Sequence, residues 1–207
     1  MKTKLIIAIL SLFLVTSSCP LSYGQDTPKS KQHTEIRILL RNEFQKALTS
    51  SKETKRLISI IEKQYPAEPD SFPATILAYY GALQGLRAKH AFIPTTKFKY
   101  LIKSLKFLDA SVKKSDADLE TFFLRFSSLH HLPSLLSIPK KRREDIEKIC
   151  ALLSERNYRK VDQSYQLVII EFMIQSKRLS KEQLKNLMIL REELKNFTEK
   201  IEEITSQ

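Results

Sequence analysis

Apolar residues recur along this chain at the three- and four-residue spacing of amphipathic helices, not at the alternate spacing of strands. Prolines fall between or at the edges of the periodic segments, where they interrupt no helix. The pattern predicts eight helices. They cover, in order, about residues 36–48, 51–64, 72–90, 96–114, 117–130, 143–155, 161–175 and 181–204.

Short connections join these predicted helices, so consecutive helices should pack as antiparallel neighbours. In the fourth helix, we expect Phe98, Leu101, Ile102, Leu105, Leu108 and Val112 to face inward. The seventh is apolar on most sides, which predicts that it is the central, most buried helix. Asp116 is the predicted N-cap of the fifth. The predicted fold class is all-α: an irregular bundle of about eight antiparallel helices, repeat-like in the middle.

The chain has only three glycines, and this small number excludes some kinds of phosphate-binding site. Dinucleotide sites and P-loops need several glycines, so that backbone N–H groups can approach a phosphate. We therefore expect no nucleotide cofactor. Gly81 and Gly85 lie one turn apart on the third helix, and the absence of two side chains predicts a notch where another helix approaches closely.

The N-terminal residues have the layout of a secretory signal peptide, with Lys2 and Lys4 preceding an apolar run from Leu5 to Val15. The run is shorter than the roughly 20 residues of a membrane-spanning helix. Cleavage after Gly24 would release a chain that begins at Gln25. Lipidation at Cys19 is the alternative, although no large aliphatic residue lies three positions before it.

This interpretation predicts a signal peptide at residues 1–24, a disordered mature N-terminus at 25–33 and a single helical domain at 34–207. The protein would be exported, to the periplasm or the medium, without a transmembrane span, or anchored as a lipoprotein through Cys19. After cleavage only Cys150 remains, so the mature chain could form no intramolecular disulfide. Its apolar neighbours predict that Cys150 is a small core residue.

A net charge of +12 arises from 35 Lys and Arg against 23 Asp and Glu. Basic residues concentrate in the fourth helix, where Lys97, Lys99, Lys103 and Lys106 accompany Tyr100. Ordinary amphipathicity accounts for this pattern if the lysines form the solvated face. Alternatively, the lysines attract an anionic envelope surface, lipid head groups or an acidic protein. Export argues against nucleic acid as the partner.

The candidate residues for a polar site are few and lie beside apolar stripes: Lys89, His90, Asp109 and Arg125. A structural ion pair is the default interpretation of Arg125, with Asp109 or Glu120 as its partner. A ligand-facing cluster of all four residues is the alternative. No metal site is expected, because the adjacent residues His130 and His131 point about 100° apart on a helix. Each should instead interact with free carbonyls at a helix end.

Part of the chain resembles known proteins. Residues 80–81, 108–123 and 113–116 are partly similar to tetratricopeptide repeats, although no clean period extends over three units. Residues 79–145 resemble an uncharacterised family of small exported helical proteins of Bacteroidetes-type bacteria. That resemblance rests on segments 88–92, 97–100, 123–126, 132–133 and 144–145, with Pro94. It implies an envelope or secreted helical protein and supplies no catalytic residues.

The function expected from the sequence is that of a non-enzymatic binding or scaffold protein of the cell envelope, without cofactor or metal. Its partner would be another envelope protein or an anionic surface. The expected binding residues are Lys89, His90, Lys97, Lys99, Tyr100, Lys103, Lys106 and Arg125. The alternative is an enzyme of unknown type with a polar site around Lys89, His90, Asp109 and Arg125. A deep pocket lined by converging polar groups would favour the enzyme, and an open basic face the binding protein.

Overall fold

The computed structural model of this chain describes residues 28–132, 136 and 138–205. The predicted signal peptide and both processing alternatives, at Cys19 and Gln25, lie outside the described residues. Those residues form eight α-helices with one 3-10 turn at Pro69–Ser71 and no strand, which confirms the all-α fold class. The helices are α1 (Pro28–Ala47), α2 (Ser51–Gln64), α3 (Ala74–His90), α4 (Pro94–Lys114), α5 (Leu119–His130), α6 (Pro139–Ser154), α7 (Gln163–Gln175) and α8 (Lys181–Thr205).

The described residues fall into two units, one that ends at Thr34 and one that begins at Glu35. In the first unit, α1 begins at Pro28, and the Thr34 hydroxyl donates to the Ser30 carbonyl at 3.0 Å. Residues 28–33, expected in a disordered segment, are therefore helical. The fixed φ of proline suits the first helical position, which explains why a helix begins there. Residues 25–27 of that expected segment lie outside the described part.

Polar side chains cap several helices of the second unit. The Ser50 hydroxyl accepts the Glu53 N–H at 3.2 Å, as the sequence predicts for α2. At α5 the predicted cap, Asp116, is wrong, because Asp118 accepts the Thr121 N–H at 2.9 Å. A four-residue turn, 115–118, therefore separates α4 from α5.

Two hydrophobic cores lie in the second unit. The first is formed by α1, α2, α3 and α4, together with Leu124 of α5. The second is formed by α5, α6, α7 and α8, with Phe126, Ile149, Ile169 and Met173 among its fully buried members. Helix α5 contributes to both cores, because its Leu124 and its Phe123 and Phe126 lie on different sides of the helix.

The most buried helix is α3, so the prediction that the seventh helix is central is wrong. From Thr75 to Gln84 every residue of α3 is buried, since α2, α4 and α5 all pack against it. In α7 the buried residues are Gln166, Ile169, Ile170 and Met173, while Val168 is exposed. The number of neighbouring helices, which local hydrophobicity does not record, decides the burial of each helix.

Candidate binding surface

Helices α3 and α4 approach each other closely at the two glycines of α3. A Cβ atom built on Gly81 would lie 3.0 Å from both the Cγ and the backbone nitrogen of Leu108. One built on Gly85 would lie 3.0 Å from the Ser104 hydroxyl. The predicted packing notch is therefore confirmed. It determines the rotation of α4, because Ser104, Leu108 and Ser111 are its buried residues and the opposite side faces outward.

Helix α4 carries four exposed lysines that we call the basic face: Lys97, Lys99, Lys103 and Lys106. The last three lie on the side of the helix away from the buried residues, and Lys97 lies in its first turn. All four side chains are exposed, as the sequence predicts. In the described part of the chain the first three form no ion pair, and Lys106 lies 4.0 Å from Asp70. Residues 71–108 contain six Lys and Arg but no Asp or Glu. The α3–α4 hairpin thus presents positive charge with little local compensation.

Large apolar side chains are exposed on the same hairpin. Phe92 and Ile93, in the turn between α3 and α4, are 99% and 62% exposed, and Phe98 and Ile102 are each 53% exposed. The prediction that Phe98 and Ile102 face inward is wrong. The apolar stripe of α4 is wider than its contact with α3, and the glycine notch draws the side that carries Ser104 and Leu108 into that contact.

Tyr100 is partly buried and turns toward α3. Its hydroxyl accepts a hydrogen bond from the Arg87 guanidinium, which also lies 4.1 Å from the centre of the Tyr100 ring. Such a cation–π contact contributes about 0.5–1 kcal/mol at an exposed site. Tyr100, one of the predicted binding residues, therefore helps to join α3 to α4.

Lys89 and His90 contact the end of α1. The Lys89 ammonium donates to the Leu48 carbonyl at 2.9 Å, and the His90 Nε2 lies 3.2 Å from the Ala47 carbonyl. These carbonyls belong to the end of α1 and the turn after it, where carbonyl groups lack intrahelical partners. Both side chains thus satisfy backbone acceptors between helices.

Arg125 forms the buried ion pair that the sequence predicts, but with a different main partner. Its Nη2 donates to Asp145 Oδ1 at 2.6 Å and its Nε to the same oxygen at 3.0 Å. Asp109 accepts from Arg125 Nη1 at 3.3 Å and from the Lys141 ammonium. Burial raises the pKa of Asp145 to about 6, against the opposing effect of Arg125. Glu120, the other expected partner, belongs to a separate network.

That network, which sequence reasoning missed, centres on the fully buried carboxylate of Glu120. Arg41 Nε and Nη2 each donate to it at 3.0 Å, and the Tyr79 hydroxyl donates to its Oε1. Burial, followed by the negative charges nearby, raises the pKa of Tyr79 well above its ordinary value. The network joins α1, α3 and α5. The available signal was a charged residue close to apolar ones: Arg41 directly follows residues 38–40, and Glu120 shortly precedes residues 122–124.

His130 and His131 pack against an aromatic ring rather than helix carbonyls, which corrects the predicted role. Their ring centres lie 5.7 and 6.0 Å from that of Phe172. Burial, followed by nearby positive charges, lowers the pKa of both histidines. Within the described residues, no group of three His, Cys, Asp or Glu side chains is arranged to hold a metal ion. Cys150 is a free thiol, and burial raises its pKa to about 11.

The four residues of the alternative enzyme site do not converge. Lys89 and His90 bind carbonyls beside α1, whereas Asp109 and Arg125 pair with Lys141 and Asp145. The grooves among the described residues include one of about 840 Å³ between α1 and α2 and one of about 360 Å³ between α6 and α8. Neither is lined by a predicted site residue. These positions give no support to a catalytic cluster at those four residues.

No protein-family model matches this chain, and comparisons with curated proteins and with solved structures find no match. In the described residues, no helix is both long and apolar enough to cross a bilayer. Exposed lysines, three of which form no ion pair in the described part of the chain, beside exposed aromatic and aliphatic side chains can attract negative charge and also bury apolar area on contact.

Proposed function

We propose that this chain is a non-enzymatic binding or scaffold protein of the cell envelope that contacts an anionic partner through the basic face of α4. The observation that carries the proposal is that Lys97, Lys99 and Lys103 are exposed without an ion pair in the described part of the chain. The apolar run near the N-terminus, typical of a signal peptide, supports the envelope location.

Two properties of the basic face favour binding over simple solvation. The face lies on a hairpin that lacks carboxylates from residue 71 to residue 108, so its positive potential is not cancelled locally. It also lies on a helix held firmly by the Gly81 and Gly85 contacts, so the lysine stems start from fixed positions. Each lysine near an anionic surface contributes about 1 kcal/mol of attraction.

The test compares two variants of equal charge. In the first, Lys97, Lys99, Lys103 and Lys106 are all changed to Gln; in the second, four other exposed lysines, Lys52, Lys55, Lys63 and Lys185, are changed to Gln. Binding to immobilised poly-L-glutamate and to vesicles containing phosphatidylglycerol is measured at several salt concentrations. We expect the first variant to lose at least about tenfold in affinity for one or both probes. The second should lose much less.

Wild-type binding should also weaken as salt rises, because the screening length falls from about 8 Å at physiological salt to about 3 Å at 1 M. Both variants should keep the helicity and melting temperature of the wild type, since exposed charges contribute little to stability. Equal losses in the two variants would show that net charge alone matters. Binding that resists both salt and the first variant would refute the proposed function.

A further inference from the structure

The turn between α3 and α4 exposes two large apolar side chains that the fold does not use. Phe92 is 99% exposed and Ile93 is 62% exposed, so Phe92 contributes essentially no packing to its own chain. We call these two residues the apolar tip. Scattered exposed apolar residues are normal on protein surfaces, but adjacent ones in a protruding turn form a patch that indicates an interaction.

Two further apolar side chains continue this patch along α4. Phe98 and Ile102 lie four residues apart, on one side of the helix, and both are about half exposed. With a rise of 1.5 Å per residue, Ile102 lies only about 12 Å along the axis from the start of α4. Lys99 and Lys103 directly follow them in sequence and line the adjoining side. A basic stripe therefore lies directly beside the apolar one on the outer surface of α4.

Charge distinguishes this patch from two other groups of exposed apolar residues. Ile38 and Leu39 lie in a groove whose lining includes three carboxylates, those of Glu35, Glu43 and Glu53, as well as Lys46 and Arg56. The exposed residues of α8, which include Ile189 and Phe197, flank Glu192 and Glu193 in the sequence. The α3–α4 hairpin alone among these three combines exposed apolar groups with a long stretch free of carboxylates. Its occupant should accordingly be both negatively charged and apolar.

We propose that the occupant is an anionic lipid bilayer: the apolar tip inserts among the acyl chains while the basic face contacts the phosphate head groups. This inference rests on the proposed function, because it names the partner of the same surface. A bilayer accepts a convex apolar turn without a complementary pocket, which a protein partner would need to supply. Lysine stems can extend along the acyl boundary and keep their ammonium groups among the phosphates.

The amino end of α4 adds to this attraction. Ile93 is its N-cap and provides no side-chain hydrogen bond, so backbone N–H groups of the first turn remain available beside the apolar tip. The positive end of the helix dipole lies at the same place. Head-group phosphates next to the inserted tip would therefore meet backbone donors as well as the Lys97 ammonium.

The absence of tryptophan from this chain allows a direct test of insertion. Phe92→Trp places the only indole at the apolar tip, and Phe197→Trp places it on α8 as a matched aromatic control. Each full-length variant is titrated with phosphatidylethanolamine vesicles with or without phosphatidylglycerol. We expect a blue shift of the Phe92→Trp emission, and quenching by lipids brominated on their acyl chains, when phosphatidylglycerol is present. The Phe197→Trp emission should respond much less.

A second measurement separates insertion from charge attraction. Phe92→Ser with Ile93→Ser should lower affinity for the anionic vesicles by about tenfold to a hundredfold, because two side chains no longer leave water. The same change should leave binding to poly-L-glutamate unaltered. Ile189→Ser with Phe197→Ser, on α8, is the matched control and should change neither. All these proteins share one N-terminal segment, so differences among them belong to the substituted residues.

Each outcome decides between the two proposals. Vesicle binding without quenching, unaffected by the tip variant, would overturn insertion and leave electrostatic binding standing. Binding to poly-L-glutamate but not to vesicles would also overturn the bilayer proposal and favour an acidic protein. Concentration-dependent self-association that disappears in the tip variant, without vesicle binding, would instead indicate a second copy as occupant. Failure to bind either probe would refute the proposed function itself.

Discussion

Replacement of Gly81 by Ala tests the close contact that orients the basic face. Alanine is favoured over glycine inside a helix by about 0.8–1.0 kcal/mol. Against this gain, the new methyl group would lie 3.0 Å from the Leu108 backbone nitrogen and 3.2 Å from the Phe107 Cβ. Backbone atoms cannot turn aside, and overpacking of this kind costs about 1–3 kcal/mol. We expect a net loss of up to about 2 kcal/mol in the free energy of unfolding.

Gly85→Ala provides the matched control. Its new methyl group would meet only the Ser104 side chain, whose hydroxyl can rotate away. We therefore expect Gly85→Ala to be neutral or stabilising by up to about 1 kcal/mol. Urea unfolding followed by far-UV circular dichroism measures both values. In a unit of this size, 1 kcal/mol corresponds to about 2–4 °C in the melting temperature.

The partner residue gives a stricter test. Leu108→Ala alone should cost about 2–5 kcal/mol, because Leu108 is fully buried. In that background Gly81→Ala should cost less than in the wild type, since one of its two nearest contacts is gone, but the backbone contact should keep some penalty. If Gly81→Ala stabilises the protein as much as Gly85→Ala does, the close contact is not a constraint and our explanation of the rotation of α4 fails.

Three further predictions concern the second core and its charges. Ile169→Ala should lower the free energy of unfolding by about 2–5 kcal/mol in urea, and a loss below about 0.5 kcal/mol would contradict its complete burial. Arg125→Met should cost about 3–5 kcal/mol by the same assay, because it leaves the Asp145 carboxylate buried without its partner; a neutral result would contradict the pairing. The lowered pKa values of His130 and His131 mean that these two side chains bind fewer protons in the folded state than in the unfolded state, so their contribution to stability should fall as pH drops below about 6.5, opposite in sign to that of Asp145. Replacement of both histidines by Gln should flatten this loss in thermal melts between pH 7.5 and 5, values chosen to bracket the ordinary histidine pKa; an unchanged slope would contradict it.

The sequence predicts the helices of this fold well, because amphipathic helices have apolar residues at three- and four-residue spacing within a short stretch of sequence. Ser50 with Glu53 predicts the start of α2, and the two glycines predict a close helix contact. The relative burial of the helices, in contrast, cannot be predicted from this local pattern. Helix α7 is the more uniformly apolar, yet α3 is the more buried, since burial depends on how many helices pack around each one.

The side of α4 that faces outward is also poorly predicted from periodicity. The apolar residues of α4 cover a wide arc, and a hydrophobic stripe gives only the average direction of burial. The small residues at the α3–α4 contact select a narrower part of that arc, which leaves Phe98 and Ile102 outside. Periodicity and the glycine contact both place Lys99, Lys103 and Lys106 on the outer side of α4, so the exposure of these lysines could be predicted although that of Phe98 and Ile102 could not.

The partners of buried charged residues are the feature that local sequence predicts least well. About 40 residues separate Arg41 from Tyr79, and about 40 more separate Tyr79 from Glu120. The sequence around each of these residues does not indicate that the other two are its partners. Arg125 was recognisable as a candidate ion pair because aromatic residues surround it, but its main partner, Asp145, follows 20 residues later in the next helix. Long-range pairing is a property of the assembled helices.

The charges of this chain therefore divide into two populations that should respond differently to salt. Glu120 and Asp145 are fully buried and paired with arginines, where dissolved ions screen weakly. The lysines of the basic face are exposed, and residues 71–108 around them contain no carboxylate. A rise in ionic strength should accordingly release an anionic partner while the helices stay folded. Affinity for the anionic partner and stability of the fold can be measured on one sample across the same salt series, and only the affinity should fall. If both fall together, the exposed lysines also stabilise the fold.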